Sequence, residues 1–156
     1  MAGSRKTPDS PLDASGLRIA IVIAAFNGEI TERLHDGARE CLSKNGVPDD
    51  HVTTLRVPGA FELPLAAQRL AATHDAVVAI GCVIRGGTPH FDYVCQAATY
   101  GLERVALDSG KPVGFGVLTT DDREQAEARA GGVEGNKGFD AAQSAIEMAI
   151  GLGLLE

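Results

Sequence analysis

The sequence predicts an α/β protein, a three-layer sandwich in which helices cover both faces of a central parallel four-stranded sheet. Two patterns carry the prediction: four nearly unbroken apolar runs rich in β-branched residues, and helical patterns between them. Strands that alternate with helices favour parallel pairing, because each helix returns the chain across the sheet. A length of 156 residues with 44% hydrophobic content fits one domain with a sizeable core.

The first half of the chain begins with MAGSRKTPDSPLDASG, which is rich in Ser, Pro, Gly and Asp. Residues 1–16 are therefore expected to form a flexible N-terminal arm, and residues 17–156 the domain. The first strand is expected in LRIAIVIAA (17–25) and the second in VTTLRV (52–57). The helix between them should stop at Asn45-Gly46. Its apolar face consists of Ile30, Leu34, Ala38, Cys41 and Leu42.

The second half repeats the alternation, with strands in AVVAIGCVI (76–84) and PVGFGVLT (112–119). All four apolar runs are expected to be covered on both faces. Thr88 is the expected N-cap of the third helix and Pro89 its first residue. Thr119 with Asp122 resembles a capping box, and the stretch from 139 to 154 has helical periodicity.

Charge and cysteine content narrow the classes of function. A formal charge of −7 and no Lys/Arg run argue against nucleic acid as a partner. The N-terminal residues contain no apolar stretch long enough for a signal peptide or membrane anchor. Three cysteines without CxxC or Cys/His ligand spacing make a disulfide scaffold or metal site improbable, and they fit a reducing cytoplasm best.

The loops AAFNGE, RVPGAFELP, VIRGGTPHF and VLTTDD should share one rim, because ligands of open parallel sheets bind outside the carboxyl ends of the strands. In RGGTPH, the glycines Gly86 and Gly87 let backbone amides approach an anion, although two glycines also simply turn a chain. His90 would lie in the first helical turn, where a neutral ring suits a general base or proton shuttle. The alternative is an ordinary surface histidine, and the nearby Asp92 complicates the proton-acceptor reading.

Further rim residues have both a functional and an ordinary interpretation. Glu62 could accept hydrogen bonds from polyol hydroxyls, yet a helix-start Glu is favourable without a ligand. Phe26 could stack on a planar heterocycle or pack in the core. Arg129 and Lys137 flank AGGVEGNKG and could hold a phosphate or be solvated charges. The chain lacks GxGxxG after the first strand and a Walker loop, which argues against conventional nucleotide sites.

The segments AAFN, VPGAFELP, GCVIRGGTPHFDYVC, FGVLTT, EQAEARAG and GNKGFDAA, in this order and spacing, resemble the 6,7-dimethyl-8-ribityllumazine synthase family over about residues 17–155. The resemblance implies a flavodoxin-like fold and a transferase of riboflavin biosynthesis without metal or organic cofactor. That enzyme joins 5-amino-6-(D-ribitylamino)uracil to 3,4-dihydroxy-2-butanone 4-phosphate and releases phosphate and water. It also implies a homo-oligomer, a pentamer or a shell of sixty subunits, in which riboflavin synthase is a candidate cargo.

The resemblance further implies roles for particular residues. His90 and Arg129 would be catalytic. Phosphate would be bound by Gly87, Thr88, Arg129 and Lys137. The ribityl-pyrimidine would be contacted by Phe26, Ala60, Phe61, Glu62, Cys82, Val83, Ile84 and Phe115. Cys82, Val83 and Ile84 would act mainly through their backbone.

Sites at subunit interfaces are also implied, with Phe115 and Arg129 coming from the neighbouring subunit. Arg129 lies about ten residues past the rim, roughly 15 Å along a regular helix, which makes its own subunit's site difficult to reach. Gly87 stands where many members have a bulkier residue, and RAGGVEGNKG lacks the insertion associated with pentamer-only members, which favours a shell. Two alternatives of the same fold stay open: a flavin- or lumazine-binding protein without activity, and a structural shell.

Overall fold

Four parallel strands form the central sheet in the order β2-β1-β3-β4 in the computed structural model, which describes residues 3–154. The strands are β1 (Ile19–Ala24), β2 (Val52–Val57), β3 (Ala76–Ile84) and β4 (Val113–Thr120). Five helices connect or follow them: α1 (Gly28–Lys44), α2 (Leu63–Ala71), α3 (His90–Ser109), α4 (Arg123–Arg129) and α5 (Lys137–Gly153). The predicted parallel α/β sandwich is therefore confirmed.

Side chains alternate between two apolar cores, one on each face of the sheet. Ile19, Ile21 and Ile23 of β1 pack with α1 and α5 on one face. Ala20 and Val22 pack with α2 and α3 on the other. This alternation follows from the two-residue period of a strand, and it makes β1 and β3 the buried centre of the fold.

Both outer strands differ from the expectation that all four would be covered on both faces. β2 has no fully buried residue, and Leu55 on it is 42% exposed. On β4, Phe115 is 46% exposed. The prediction was wrong for these strands because each pairs with one neighbour only, and for β2 the polar Thr53, Thr54 and Arg56 were an available sign of an edge.

Two helix starts also differ from the sequence prediction. α3 begins at His90 with Pro89 in the cap position, and the Thr88 hydroxyl oxygen lies 3.4 Å from the His90 amide that donates to it. Thr119 is not a cap, because β4 continues to Thr120. Asp122 caps α4 instead, accepting from the Gln125 amide at 2.8 Å.

The last helix starts earlier than predicted, at Lys137, because the side-chain oxygen of Asn136 accepts from the amides of residues 138 and 139. Gly138 lies against α1 so closely that a Cβ there would overlap the Leu34 carbonyl oxygen. Between α4 and α5 the chain forms a short antiparallel hairpin, β5 (Ala130–Gly132) and β6 (Gly135–Asn136), which was not predicted.

The N-terminal segment contains no helix or strand between residues 3 and 18. The Leu12 amide donates to the Asn45 side chain at 2.8 Å, Ala14 is buried, and Arg5 pairs with Glu147 at 2.6 Å. Flexibility of an arm at residues 1–16 stays a prediction. Its residues 1 and 2, and residues 155 and 156 of the predicted domain, lie outside the described part.

Candidate active site

A cleft of about 340 Å³ lies at the carboxyl ends of β1 and β3 and at the start of α3. Nine of the predicted site residues line it: Phe26, Ala60, Phe61, Glu62, Cys82, Val83, Ile84, Thr88 and His90. They come from three separate strand-to-helix connections, including the last residues of β3 and the first residue of α3. Their convergence has a simple cause, because parallel strands bring their carboxyl ends to the same edge of the sheet.

Hydrogen bonds between loops fix one wall of the cleft. The amide of Phe26 donates to the Pro58 carbonyl at 3.0 Å, which joins the β1–α1 loop to the β2–α2 loop. Phe26 is 71% exposed, so the face of its ring is available to a ligand. Glu62 ends a short 3₁₀ turn (Ala60–Glu62), and its carboxylate accepts from the Gly59 amide at 3.0 Å. That bond orients the carboxylate at the cleft.

The cleft also contains Gly86 of the predicted anion-binding turn, and four residues that sequence reasoning had not assigned to the site: Asn27, Gly59, Phe91 and Val94. Asn27 has φ of 56°, the one non-glycine residue with positive φ among residues 3–154. Its side-chain amide donates to the Cys82 carbonyl at 2.8 Å. An asparagine between a strand and a helix was the available signal, since Asn tolerates this backbone region better than most residues.

The turn from Gly86 to Pro89 is exposed and carries few side-chain contacts. Neither Gly86 nor Gly87 has a positive φ, and a Cβ at either position would meet open space. The turn therefore does not need glycine for its conformation. What the two glycines provide is an uncovered backbone directly before a helix of 20 residues, where amides can donate to an anion.

His90 is the first residue of α3 and faces the cleft. The neighbouring Asp92 has a cationic partner of its own, because its carboxylate lies 3.6 Å from the guanidinium of Arg85. Asp92 is therefore not a free carboxylate in the folded chain.

Three predicted site residues, Phe115, Arg129 and Lys137, lie outside the cleft, and Gly87 is next to its lining residues. Phe115 pairs with Ala79 on β3, whereas the lining residue Cys82 pairs with Leu118. Three residues along a strand correspond to about 10 Å. The Phe115 ring thus belongs to a different part of the sheet from its own chain's cleft.

Arg129 and Lys137 lie with the elements on the other face of the sheet. Ala126 and Ala130, on either side of Arg129, pack in the α1/α5 core, whereas Ala60 of the cleft packs in the α2/α3 core. The predicted distance of about 15 Å along a helix from the rim to Arg129 was too long, because α4 has only 7 residues and rises about 10 Å.

Both cations have partners nearby in sequence. The Arg129 guanidinium donates to the Gln125 carbonyl at 3.0 Å, and the Lys137 ammonium lies 3.2 Å from the Asp140 carboxylate. These local contacts hold the side chains near their own helices.

The comparison with protein families decides the assignment. Residues 16–152 match the profile described as 6,7-dimethyl-8-ribityllumazine synthase. The chain belongs to the 6,7-dimethyl-8-ribityllumazine synthase family. It is 55% identical to the protein of that name from Kineococcus radiotolerans, over 94% of this chain and 91% of the relative. It is 52% identical to those from Chlorobium phaeobacteroides, covering 92% and 94% of the two chains, and Kocuria rhizophila, covering 97% of each.

In this member of the 6,7-dimethyl-8-ribityllumazine synthase family, the buried thiols of Cys41 and Cys82 are poorly suited to act as nucleophiles. Burial raises the pKa of the Cys82 thiol to about 11 and that of Cys41 to about 12. Both stay protonated near neutral pH, and a thiol is a poor nucleophile. Cys82 therefore lines the cleft as an apolar wall and through its carbonyl.

Residues 3–154 contain no group of three or more His, Cys, Asp or Glu side chains arranged to hold a metal ion. No helix in that part of the chain is long and apolar enough to cross a membrane.

Proposed function

We propose that the cleft is the active site at which this chain carries out the family reaction. That reaction condenses 5-amino-6-(D-ribitylamino)uracil with 3,4-dihydroxy-2-butanone 4-phosphate to 6,7-dimethyl-8-ribityllumazine and releases phosphate and water. The observation that carries the proposal is the convergence of an exposed aromatic ring, an oriented carboxylate, a glycine-rich helix start and a histidine in one cleft. These are the groups that a planar heterocycle, a polyol chain, a phosphate and a proton transfer each require.

The ribityl-pyrimidine occupies the part of the cleft between the β1–α1 and β2–α2 loops. The exposed ring of Phe26 stacks on the pyrimidine, and Glu62 accepts from ribityl hydroxyls while Ala60 and Phe61 contact the chain. Support comes from the bond between Glu62 and Gly59, which uses one carboxylate oxygen and leaves the other available. The backbone of Cys82, Val83 and Ile84 forms the far side against the uracil.

The butanone phosphate lies at the turn before α3. The amides of Gly87 and Thr88 donate to its phosphate, supported by the positive end of the helix dipole. His90 moves protons during imine formation, phosphate elimination and ring closure. Its position one turn from the phosphate site keeps both substrates in register, and positioning of two reactants is a large source of rate enhancement.

The active site is completed by a second copy of the chain. Phe115, Arg129 and Lys137 lie outside their own chain's cleft, so a neighbouring subunit supplies them to it. Arg129 clamps the leaving phosphate, Lys137 assists, and Phe115 covers the ligand. Large exposed apolar side chains near the cleft, such as Phe61 and Leu65, support an interface there. The assembly is a pentamer or a shell of sixty subunits in the cytoplasm, with riboflavin synthase as a candidate cargo.

The test is to mix the purified protein with both substrates and to follow lumazine fluorescence against the slow uncatalysed reaction. Acceleration by the protein is expected, and His90→Ala should reduce turnover by about a hundred- to ten-thousandfold with little change in ribityl-pyrimidine affinity. No acceleration by the parent would leave a non-catalytic lumazine- or flavin-binding protein, or a structural shell, as the explanation. Equal rates in variant and parent would remove His90 from the mechanism.

A further inference from the structure

Arg85 is the residue between the end of β3 and the glycine turn, and it contacts the chain on both sides of that turn. Its amide donates to the Thr120 carbonyl at 2.9 Å, which extends the pairing of β3 with β4 by one step. Its guanidinium Nε donates to the Asp121 carboxylate at 2.9 Å. This side of Arg85 is therefore fixed to the β4–α4 loop.

The same guanidinium reaches across the turn to the first residues of α3. Its central carbon lies 4.3 Å from the centre of the Phe91 ring, and Nη1 lies 3.6 Å from the Asp92 carboxylate. In this arrangement the planar face of the guanidinium stacks on the aromatic ring, while its N–H groups point towards the carboxylate. Phe91 and Asp92 directly follow His90, so these contacts connect the first turn of the helix to the end of β3.

Little else holds this turn in place. The residues from Gly86 to His90 are exposed, and the one side-chain hydrogen bond recorded within that stretch is the 3.4 Å contact between Thr88 and the His90 amide. Asp121 is held in turn, since its amide donates to the Gln125 side chain at 3.0 Å. A continuous path of contacts therefore runs from α4 through Asp121 and Arg85 to α3.

We infer that Arg85 is a positioning residue, which fixes the phosphate-binding turn and His90 relative to the sheet by joining Asp121 on one side to Phe91 and Asp92 on the other. Arg85 acts through the turn and not by touching substrate, because Nε and Nη1 face carboxylates and the planar face lies on Phe91. The hydrogen bond to the Asp121 carboxylate also raises the pKa of the Arg85 guanidinium. The inference rests on the proposed placement of the phosphate at this turn.

Two variants break the clamp from opposite ends, Arg85→Gln and Asp121→Asn. The matched control is Arg104→Gln, which removes an arginine that pairs with Asp108 at 3.0 Å on the exposed face of α3. Each protein is measured for hydrogen exchange of the segment 85–92 without substrates, and for kcat and the KM of each substrate.

Both clamp variants should exchange faster at 85–92 and lose about tenfold or more in kcat/KM for the butanone phosphate, because a small displacement of reacting groups is costly. The KM of the ribityl-pyrimidine should change less than about twofold, since its contacts lie on other loops and on the backbone of β3, which its pairing with β4 holds without the Arg85 side chain. The double variant should be no worse than the more damaged single variant, because both remove one interaction. Arg104→Gln should behave as the parent in both measurements.

Three results would overturn the positioning role. Unchanged exchange at 85–92 in both clamp variants would mean that the turn is held by something else. Faster exchange with parental kinetics would mean that the clamp does not serve the chemistry. A lower kcat/KM for the butanone phosphate in Arg85→Gln, together with a normal or lower KM for that substrate in Asp121→Asn, would make Arg85 a direct phosphate ligand. A parent without activity would instead refute the proposed function, and the exchange data would still decide whether the clamp exists.

Discussion

Mixed assemblies of two inactive variants provide the sharpest test of whether the active site is shared between subunits. His90→Ala removes the proton-transfer group from one side of the proposed site, and Arg129→Ala removes the phosphate clamp from the other. The structure motivates the pair, because Arg129 does not line the cleft of its own chain and its guanidinium donates to the Gln125 carbonyl instead. Each variant assembled alone has one defect in every site.

The expected recovery follows from counting interfaces. In an equal mixture, a site is intact when its His90 comes from an Arg129→Ala chain and its Arg129 comes from a neighbouring His90→Ala chain. Each condition is met half of the time, so about a quarter of the sites are restored in a closed ring. At a four-to-one mixing ratio the fraction falls to about a sixth. If both residues served one site from a single chain, no mixture would contain an intact site.

The assay denatures the two variants together, reassembles them and measures lumazine formation. Native mass spectrometry with one variant carrying a mass tag verifies that the chains have mixed, and mixing of already assembled variants is the control that should show no recovery. If a parent retains about 1% of activity, recovery to a quarter is a rise of about 25-fold. Verified mixed assemblies that stay as inactive as their parents would refute the shared site.

Three further changes have expected results of different kinds. Glu62→Ala should raise the KM of the ribityl-pyrimidine by about ten- to a hundredfold, because a charged hydrogen bond contributes about 1.5 to 3 kcal/mol. Binding of inorganic phosphate should stay constant. An equal loss of affinity for both ligands would indicate general disruption of the fold. Burial lowers the pKa of His35 in the folded chain. Below about pH 6.5 the unfolded chain therefore binds a proton at His35 that the folded chain does not, and the free energy of unfolding decreases as the pH is lowered. Denaturant titrations at several pH values should show His35→Gln losing up to about 1.4 kcal/mol per pH unit of that slope, and an unchanged slope would exclude His35. Gly138→Ala should lower the free energy of unfolding by about 3 kcal/mol or more, because the added Cβ would overlap the Leu34 backbone. Gly151→Ala in the same helix is the control, since a Cβ there meets open space, and it should be neutral or slightly stabilising in thermal denaturation. Similar melting temperatures for the two variants would contradict the close packing at Gly138.

The sequence by itself determined the layers of this protein and the residues of one cleft. Runs such as 76–84 have the composition of a buried parallel strand, and the structure gives β3 those same bounds. Parallel strands place their following loops at one edge, so loops far apart in sequence could be assigned to one site before any coordinates. Phe26, Glu62 and His90 meet in the cleft for that reason.

Tertiary structure decided which strands lie at the edges, where helices start and which charges meet. The polar residues Thr53, Thr54 and Arg56 gave a local reason for β2 to be exposed, but the apolar composition of β4 gave none, and its edge position depends on strand order. Likewise Arg85 and Asp121 are 36 residues apart, and their contact exists because β3 and β4 are neighbours in register. Local patterns encode backbone conformation and burial, whereas the pairing of distant side chains is set by how the elements pack, which no single segment specifies.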